Sequence, residues 1–288
     1  MPTPPAPDSD LICKIDETNV SEEPPASARA AFAPVPDAVL TLEHERFRQV
    51  QQLLGVLTGR VLKRGARGLG VKALQRAFID MGFLLAGTAD GIFGRQTAKA
   101  VKNFQVHASK WAPEVTPTGV VNAITLLTLD KWAPIEGESG QKQHLPAPYY
   151  KGTRLRVLII KDEHRTFLYD TQGHFLRVVM NAVGASATPT MTGLKVISAK
   201  LDEAAANELG ERLWGARVFG ARILDLTWAN GQRSGEELHG TIAPEALGED
   251  VSHGCIRHAN PDIIMMYDTL PVGAKVAIIG SANDPNLQ

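Results

Sequence analysis

The spacing of apolar residues changes period once along this chain, near residue 154, and that change limits the fold more than any other feature. Before it, apolar positions recur at helical spacing: Val71, Leu74, Phe78 and Met81, then Thr97, Val101 and Phe104, then Ile124, Leu127 and Leu129. One face of an amphipathic helix has this spacing. After it come short runs rich in β-branched and aromatic residues, at 155–160, 164–169, 174–183, 194–198, 221–228, 235–241 and 274–279. These read as strands separated by Gly-rich turns. Helices gathered first and strands second argue against a doubly wound sheet. The expected fold is α+β and multidomain: a small three-helix bundle, then a mainly β, mixed-sheet, sandwich-like domain.

Five segments follow from the same reading. Residues 1–37 are rich in Pro, Ala, Ser and acidic residues and form a disordered tail, because they bury too little apolar surface to offset ordering entropy. Residues 38–60 are a helical connector, with Val39, Leu42, Phe47, Val50, Leu53 and Leu54 on one face and Gly55 and Gly59 as breakers. Residues 61–132 are the helical module, residues 133–152 a Pro- and Gly-rich linker, and residues 153–282 the β domain. Two helices interrupt the strands, one at 203–213 behind Asp202 as N-cap, the other at 262–270 begun by Pro261. No internal repeat is evident.

The 288 residues carry a formal net charge of -1, which gives no sign of a nucleic-acid partner. No apolar run approaches the ~20 residues of a membrane span. The apolar stretch at 11–13 is too short for a signal-peptide core. That leaves an export signal absent from this sequence, another export route, or retention in the cell. Cys13 falls in the tail and reads as incidental.

The second cysteine lies in Val251-Ser252-His253-Gly254-Cys255-Ile256-Arg257-His258, with a third histidine upstream in Leu238-His239-Gly240-Thr241. A thiol is a nucleophile only as thiolate, so it needs a base or an imidazolium beside it. In an extended segment, His253 and Cys255 would point the same way. His239 closes a strand, from which a turn can bring it to Cys255. Gly254 lets a substrate carbonyl approach, and the N–H groups of Gly254 and Cys255 could stabilise an oxyanion. The alternatives are a buried inert cysteine and a zinc site built from His239, His253, Cys255 and His258.

Two resemblances narrow this. Leu62-Lys63-Arg64-Gly65, Val71-Lys72-Ala73-Leu74-Gln75, Asp90-Gly91-Ile92-Phe93-Gly94, Thr97 and Ala100-Val101-Lys102-Asn103-Phe104-Gln105 resemble the peptidoglycan-binding family of three-helix modules. His239-Gly240-Thr241, then Ser252-His253-Gly254-Cys255-Ile256-Arg257 with Asn260, resembles the L,D-transpeptidase catalytic domain of YkuD type. Thr188-Pro189-Thr190-Met191-Thr192-Gly193 and Pro271-Val272-Gly273 are similar to further parts of that family. The resemblance implies that Cys255 is the nucleophile and His239 the base, oriented by the backbone carbonyl of Gly240. His253 supports the site, and Gly254 with Cys255 supplies the oxyanion donors. On the substrate-binding side, Arg257 holds the loop or meets a substrate carboxylate, while Ser252 and Asn260 fix the loop by hydrogen bonds. No cofactor and no metal is implied.

The reaction it implies is acyl transfer from the third residue of a peptidoglycan tetrapeptide stem, with release of D-Ala and formation of a 3–3 cross-link. The expected partners are stem peptides and glycan, in the periplasm or cell wall. The acceptor stays open between a stem amine, a lipoprotein and water. Water would make the chain an L,D-carboxypeptidase or an exported wall-damaging toxin. A non-catalytic wall-binding protein and a zinc peptidase are the rivals of other classes. Three features depart from the family pattern. Met191 stands where Pro is frequent. His258 stands where an apolar residue is common, and reads as a surface histidine. Residues 201–214 are unusually helical and charged, which suggests a lid. His164 and His174 read as structural.

Overall fold

The computed structural model describes residues 41–54 and 59–288. The tail at 1–37, with Cys13, lies outside them.

A 3-10 turn, Glu45–Phe47, runs into α1 (Arg48–Leu54). Then follow α2 (Leu69–Asp80), α3 (Arg95–Ala108) and α4 (Ala123–Trp132). The apolar stripes meet in one core that includes Val71, Leu74, Phe78, Val101, Phe104 and Leu129. The segment expected as a connector belongs to this core, because Phe47, Val50 and Leu54 are buried in it. The Glu43 and His44 N–H groups donate to the Asp130 carboxylate, and Arg46 pairs with Asp80 at 2.9 Å.

The helical part also contains a repeated device that the sequence reading missed. Gln75 accepts from Gly91 N–H at 2.7 Å and donates to Ile92 O and Thr97 Oγ1. Gln105 accepts from Gly119 N–H at 2.8 Å and donates to Val120 O and Thr125 Oγ1. In each case a buried glutamine on one helix clamps the turn and first residues of the next. Gly91 and Gly119 both have positive φ, 76° and 75°, where a side chain is disfavoured.

The β domain begins with a two-stranded hairpin, β1 (Tyr149–Tyr150) and β2 (Thr153–Arg154). The main sheet holds β3 (Val157–Ile160), β4 (Arg165–Tyr169), β5 (Phe175–Gly184), β6 (Gly193–Leu201), β7 (Ile223–Trp228), β8 (Arg233–His239), β9 (Asp250–Ser252), β10 (Ile256–His258) and β11 (Lys275–Ile279). Their order is β10-β8-β7-β6-β11-β3-β4-β5-β9, and β10 also pairs with β5. That last pairing closes eight strands into a circuit. The sheet is mixed, with β10–β8, β11–β3 and β5–β9 parallel. Buried residues lie on both faces of β3: Val157 and Ile159 in one cluster, Leu158 and Ile160 in another. A strand covered on both sides reads as a continuous apolar run, which is why 155–160 showed no alternation. α5 (Glu203–Trp214) is capped by Asp202, whose carboxylate accepts from Ala205 N–H at 3.0 Å, and α6 (Asn260–Thr269) has Pro261 in its first turn.

The expected linker is packed rather than free. Gly140 N–H donates to Asp80 O, Lys142 N–H donates to Trp132 O, and Gln141 is buried. The reason is an ion cluster joining the two domains. Glu163 accepts from Lys110, from His107 Nδ1 at 2.8 Å and from Arg165 Nε at 3.0 Å. Arg165 donates to Gln141 Oε1 at 2.7 Å and Met81 O at 3.1 Å, and its guanidinium lies 4.1 Å from the Phe83 ring centroid. Glu163, Arg165 and His107 are 0% exposed.

Candidate active site

β10 is three residues long and is held on both edges. Arg257 is level with His239 of β8 in parallel register and with Ala182 of β5 in antiparallel register. Ile256 is level with Leu238. Cys255 immediately precedes the strand, and the backbone N–H of Glu237 is directed at its sulfur. The ring closure therefore sets the end of β8, at His239, alongside the strand that Cys255 precedes, although the two residues are sixteen apart in the chain.

The turn ahead of Cys255 depends on Gly254, whose φ of 111° is closed to most side chains. The backbone is thus not extended there, and His253 does not share a direction with Cys255. His253 is exposed and lies beside Trp214 at the end of α5, with ring centroids 5.4 Å apart. α5 itself packs Ala206 onto Phe219 and Ile223. The loop is braced from below. Thr190 Oγ1 donates to Gly254 O at 2.7 Å and accepts from Gly184 N–H at 2.8 Å. Thr188 Oγ1 donates to Ser252 O at 3.0 Å, and Ser252 Oγ donates to Cys255 O. Ser252 Oγ also accepts from Gly254 N–H at 3.2 Å. Of the two expected oxyanion donors, Gly254 N–H is therefore already engaged, while Cys255 N–H makes no such bond.

His239 is 4% exposed, and its Nδ1 donates to Gly240 O at 2.6 Å. That bond fixes the tautomer and leaves Nε2 as a proton acceptor. Burial pulls its pKa down to about 4, against the opposing pull of the Gly240 carbonyl. Gly240 is held in turn by Asn260. Asn260 Oδ1 accepts from Ala221 N–H at 3.1 Å and Thr241 N–H at 3.2 Å. A Cβ on Gly240 would stand 2.3 Å from that oxygen. Gly240→Ala should therefore break both bonds, cost ~2 kcal/mol, and slow acylation of Cys255 by releasing the His239 ring. A wild-type melting curve and acylation rate in that variant would show that the Asn260 clamp does not matter.

Burial pushes the Cys255 thiol up to about 11, and the Glu237 carboxylate adds to the effect. With His239 low and Cys255 high, the resting pair is a neutral imidazole and a neutral thiol. Glu237 was not foreseen. It sits opposite Asp225 on β7, burial together with that neighbour raises it to about 7, and its Oε2 is buried without a hydrogen bond. Glu237→Gln removes one charge beside the sulfur. The midpoint of thiol alkylation should then move down by ~1 in pH, read from iodoacetamide rates; an unmoved midpoint would assign the whole effect to burial.

Glu236 was also missed. It pairs with Lys195, which is fully buried and lies 4.3 Å from the Trp228 ring centroid. Its Oε1 accepts from Met191 N–H. The residue that replaces the family's frequent proline thus supplies an N–H that proline lacks. Two adjacent acids in one strand were the available signal, since successive side chains face opposite sides of a sheet. Arg257 is half-buried and makes no hydrogen bond or ion pair. His258 is not a surface residue: it is 0% exposed, its Nε2 lies 2.9 Å from Thr166 Oγ1, and burial holds its pKa near 3. Its ring fills the space that an apolar residue would occupy. His164 bonds Asp250 of β9 at 2.9 Å, while His174 is exposed beside Asp170. Among the described residues no group of three or more His, Cys, Asp or Glu is arranged to hold a metal.

Residues 154–278 match the family of L,D-transpeptidase catalytic domains, and residues 67–129 match a peptidoglycan binding domain. Residues 154–278 thus form a catalytic domain of L,D-transpeptidase type. Among curated proteins, the "Probable L,D-transpeptidase ErfK/SrfK" of Escherichia coli is 50% identical over 42 residues, which is 15% of this chain and 14% of that protein. The N-acetylmuramoyl-L-alanine amidase CwlL of Bacillus licheniformis is 34% identical over 95 residues, 33% of this chain and 26% of that one. The chain spans between 14% and 31% of the length of the curated relatives it matches. The crystal structure of an L,D-transpeptidase from Xylanimonas cellulosilytica is similar with a TM-score of 0.46 at 21% identity, over 76% of this chain and 97% of that one.

Proposed function

We propose that this L,D-transpeptidase domain acts on peptidoglycan through a thioester on Cys255. The Cys255 sulfur attacks the carbonyl of the third residue of a tetrapeptide stem while His239 Nε2 takes the thiol proton. The C–N bond to the terminal D-Ala breaks, and His239 returns the proton to the leaving amine. A side-chain amine of a neighbouring stem then attacks the thioester. Its proton passes to His239 and on to the departing sulfur, leaving a 3–3 cross-link and a free thiol. Arg257, an unpaired cation next to the catalytic strand register, meets a carboxylate of the substrate. His253 on the rim borders the entry. On this reading the helical domain holds the wall polymer, and the protein works in the periplasm or cell wall.

The observation that carries this reading is the His239–Gly240 bond beside the Cys255 turn: a nucleophile with a base of fixed tautomer is an acyl-transfer arrangement. Purified tetrapeptide muropeptides test it. Cross-linked dimers with release of D-Ala are expected from wild type and none from Cys255→Ala. Tripeptide monomers alone would assign water as acceptor, and no D-Ala release at all would overturn the enzymatic reading.

A further inference from the structure

A cavity of about 700 Å³ opens between the helical domain and the catalytic domain, away from Cys255. Its charged lining is one-sided once the pairs are taken out. Asp162 is held by Lys110 at 3.0 Å, Glu249 by Lys99 at 2.8 Å, and Asp250 by His164 at 2.9 Å. Lys63, Arg64 and Lys102 line the same cavity, are exposed, and have no hydrogen bond or ion pair from their side chains. The lining holds five Lys or Arg side chains against three carboxylates, each of which is already bonded, so the pocket presents net positive charge to whatever enters.

The cavity is preformed. Asn103 Nδ2 on α3 donates to Gly248 O at 3.1 Å, and Gly248 N–H donates to Asn181 O at 2.7 Å. A Cβ on Gly248 would stand 2.6 Å from Met180 Cε and 3.2 Å from Asn103 Nδ2. The glycine thus lets α3 approach the 248–250 segment closely, and the two domains are fixed on either side of the groove. A site that needs no rearrangement binds at lower entropic cost.

The groove lies close to the Cys255 turn along the chain. Asp250 on its wall opens β9, and Cys255 follows five residues later, at most ~18 Å along the chain. An extended four-residue peptide spans ~14 Å. The volume is in the range of pockets that take a small ligand or a short peptide, roughly 300–1,000 Å³.

We propose that this groove binds a carboxylate-bearing stem peptide of the wall polymer, its carboxylates meeting Lys63, Arg64 and Lys102. The proposal rests on the reading of the chain as a peptidoglycan transferase. The helical domain is then one wall of an extended substrate site, and the other wall leads into the catalytic turn.

The test uses the full chain with Cys255→Ala, so that nothing turns over, and titrates it calorimetrically with a disaccharide tetrapeptide. Adding Lys63→Glu, Arg64→Glu and Lys102→Glu should weaken binding about tenfold or more, equivalent to ~1.4 kcal/mol. The same muropeptide with amidated carboxylates should bind the unaltered groove equally poorly, and salt should weaken binding of the free-acid form. Should the triple variant melt early, Lys102→Ala alone, at an exposed and unpaired position, should still weaken binding measurably. Equal affinity of the free-acid and amidated forms, or of parent and variant, would overturn the proposal. So would tight binding of a polyglycerol phosphate with none of the muropeptide. Release of D-Ala by wild type is measured separately, and its absence would remove the catalytic reading without touching the binding result.

Discussion

Cys255→Ala is expected to abolish thioester formation, and His239→Ala to slow it by ~10³-fold or more, as when a nucleophile–base pair loses its base. Intact mass after exposure to a tetrapeptide muropeptide reads both. The pH profile is the sharper part of the prediction. A solvated histidine would give an acid limb near 6.5. His239 is buried and hydrogen-bonded through Nδ1, which brings its pKa to about 4. Its base form is therefore complete above about pH 5, and the acid limb of acylation should lie near 4. Because burial and Glu237 hold Cys255 at about 11, no thiolate accumulates at neutral pH. The rate should be level across neutral pH instead of rising with a thiolate fraction. An acid limb near 6.5 would mean that His239 is solvated in the working enzyme.

Arg165→Ala should be the most destabilising single change outside the active site. Arg165 and Glu163 are fully buried, and removing the guanidinium leaves the Glu163 carboxylate with Lys110 and His107 alone and takes the donor from Gln141 and Met81 O. Breaking such a pair costs ~3–5 kcal/mol, a fall in Tm of roughly 10 °C for a body of this size. Differential scanning calorimetry reads it. Burial works against the Glu163 charge, but His107, Arg165 and Lys110 outweigh it and hold the carboxyl well below its usual range. Burial holds His107 down to about 4. Both groups give the same sign. Glu163 contributes stability above its unfolded pKa and loses it as pH falls. His107 is kept neutral in the fold, so the unfolded state gains protons first as pH drops below 6.5, and stability falls until about pH 4. His239 and His258, also buried and neutral, act in the same direction. His107→Gln isolates one share: its unfolding free energy should fall less than wild type between pH 7 and 5, by on the order of 2 kcal/mol. Parallel curves would show that His107 titrates alike in the folded and unfolded states. The same cluster explains why the two domains form one body despite a Pro- and Gly-rich connection.

Local information sufficed for part of this protein. The helix-then-strand division, the Asp202 cap, the helix begun by Pro261 and the chemistry-bearing Ser-His-Gly-Cys-Ile-Arg run all depend on residues within a few positions of one another, where period, capping and turn chemistry act. The sequence also placed His239 at the end of a strand, within reach of the thiol. Burial and strand register are sums over distant residues, and they decided the rest. His258 looked like a surface histidine because nothing local shows that β10 is enclosed between β5 and β8. His253 looked aligned with Cys255 until the positive φ of Gly254 turned the backbone. Glu236, Glu237 and Lys195 acquired roles only when β6 and β8 came under the catalytic turn. Phe47, Gln141 and Arg165 turned an expected connector and linker into packed structure. The sequence by itself supplied the atoms proposed to do the chemistry. Tertiary structure decided their protonation states and neighbours, because desolvation and charge proximity exist only once the sheet has closed.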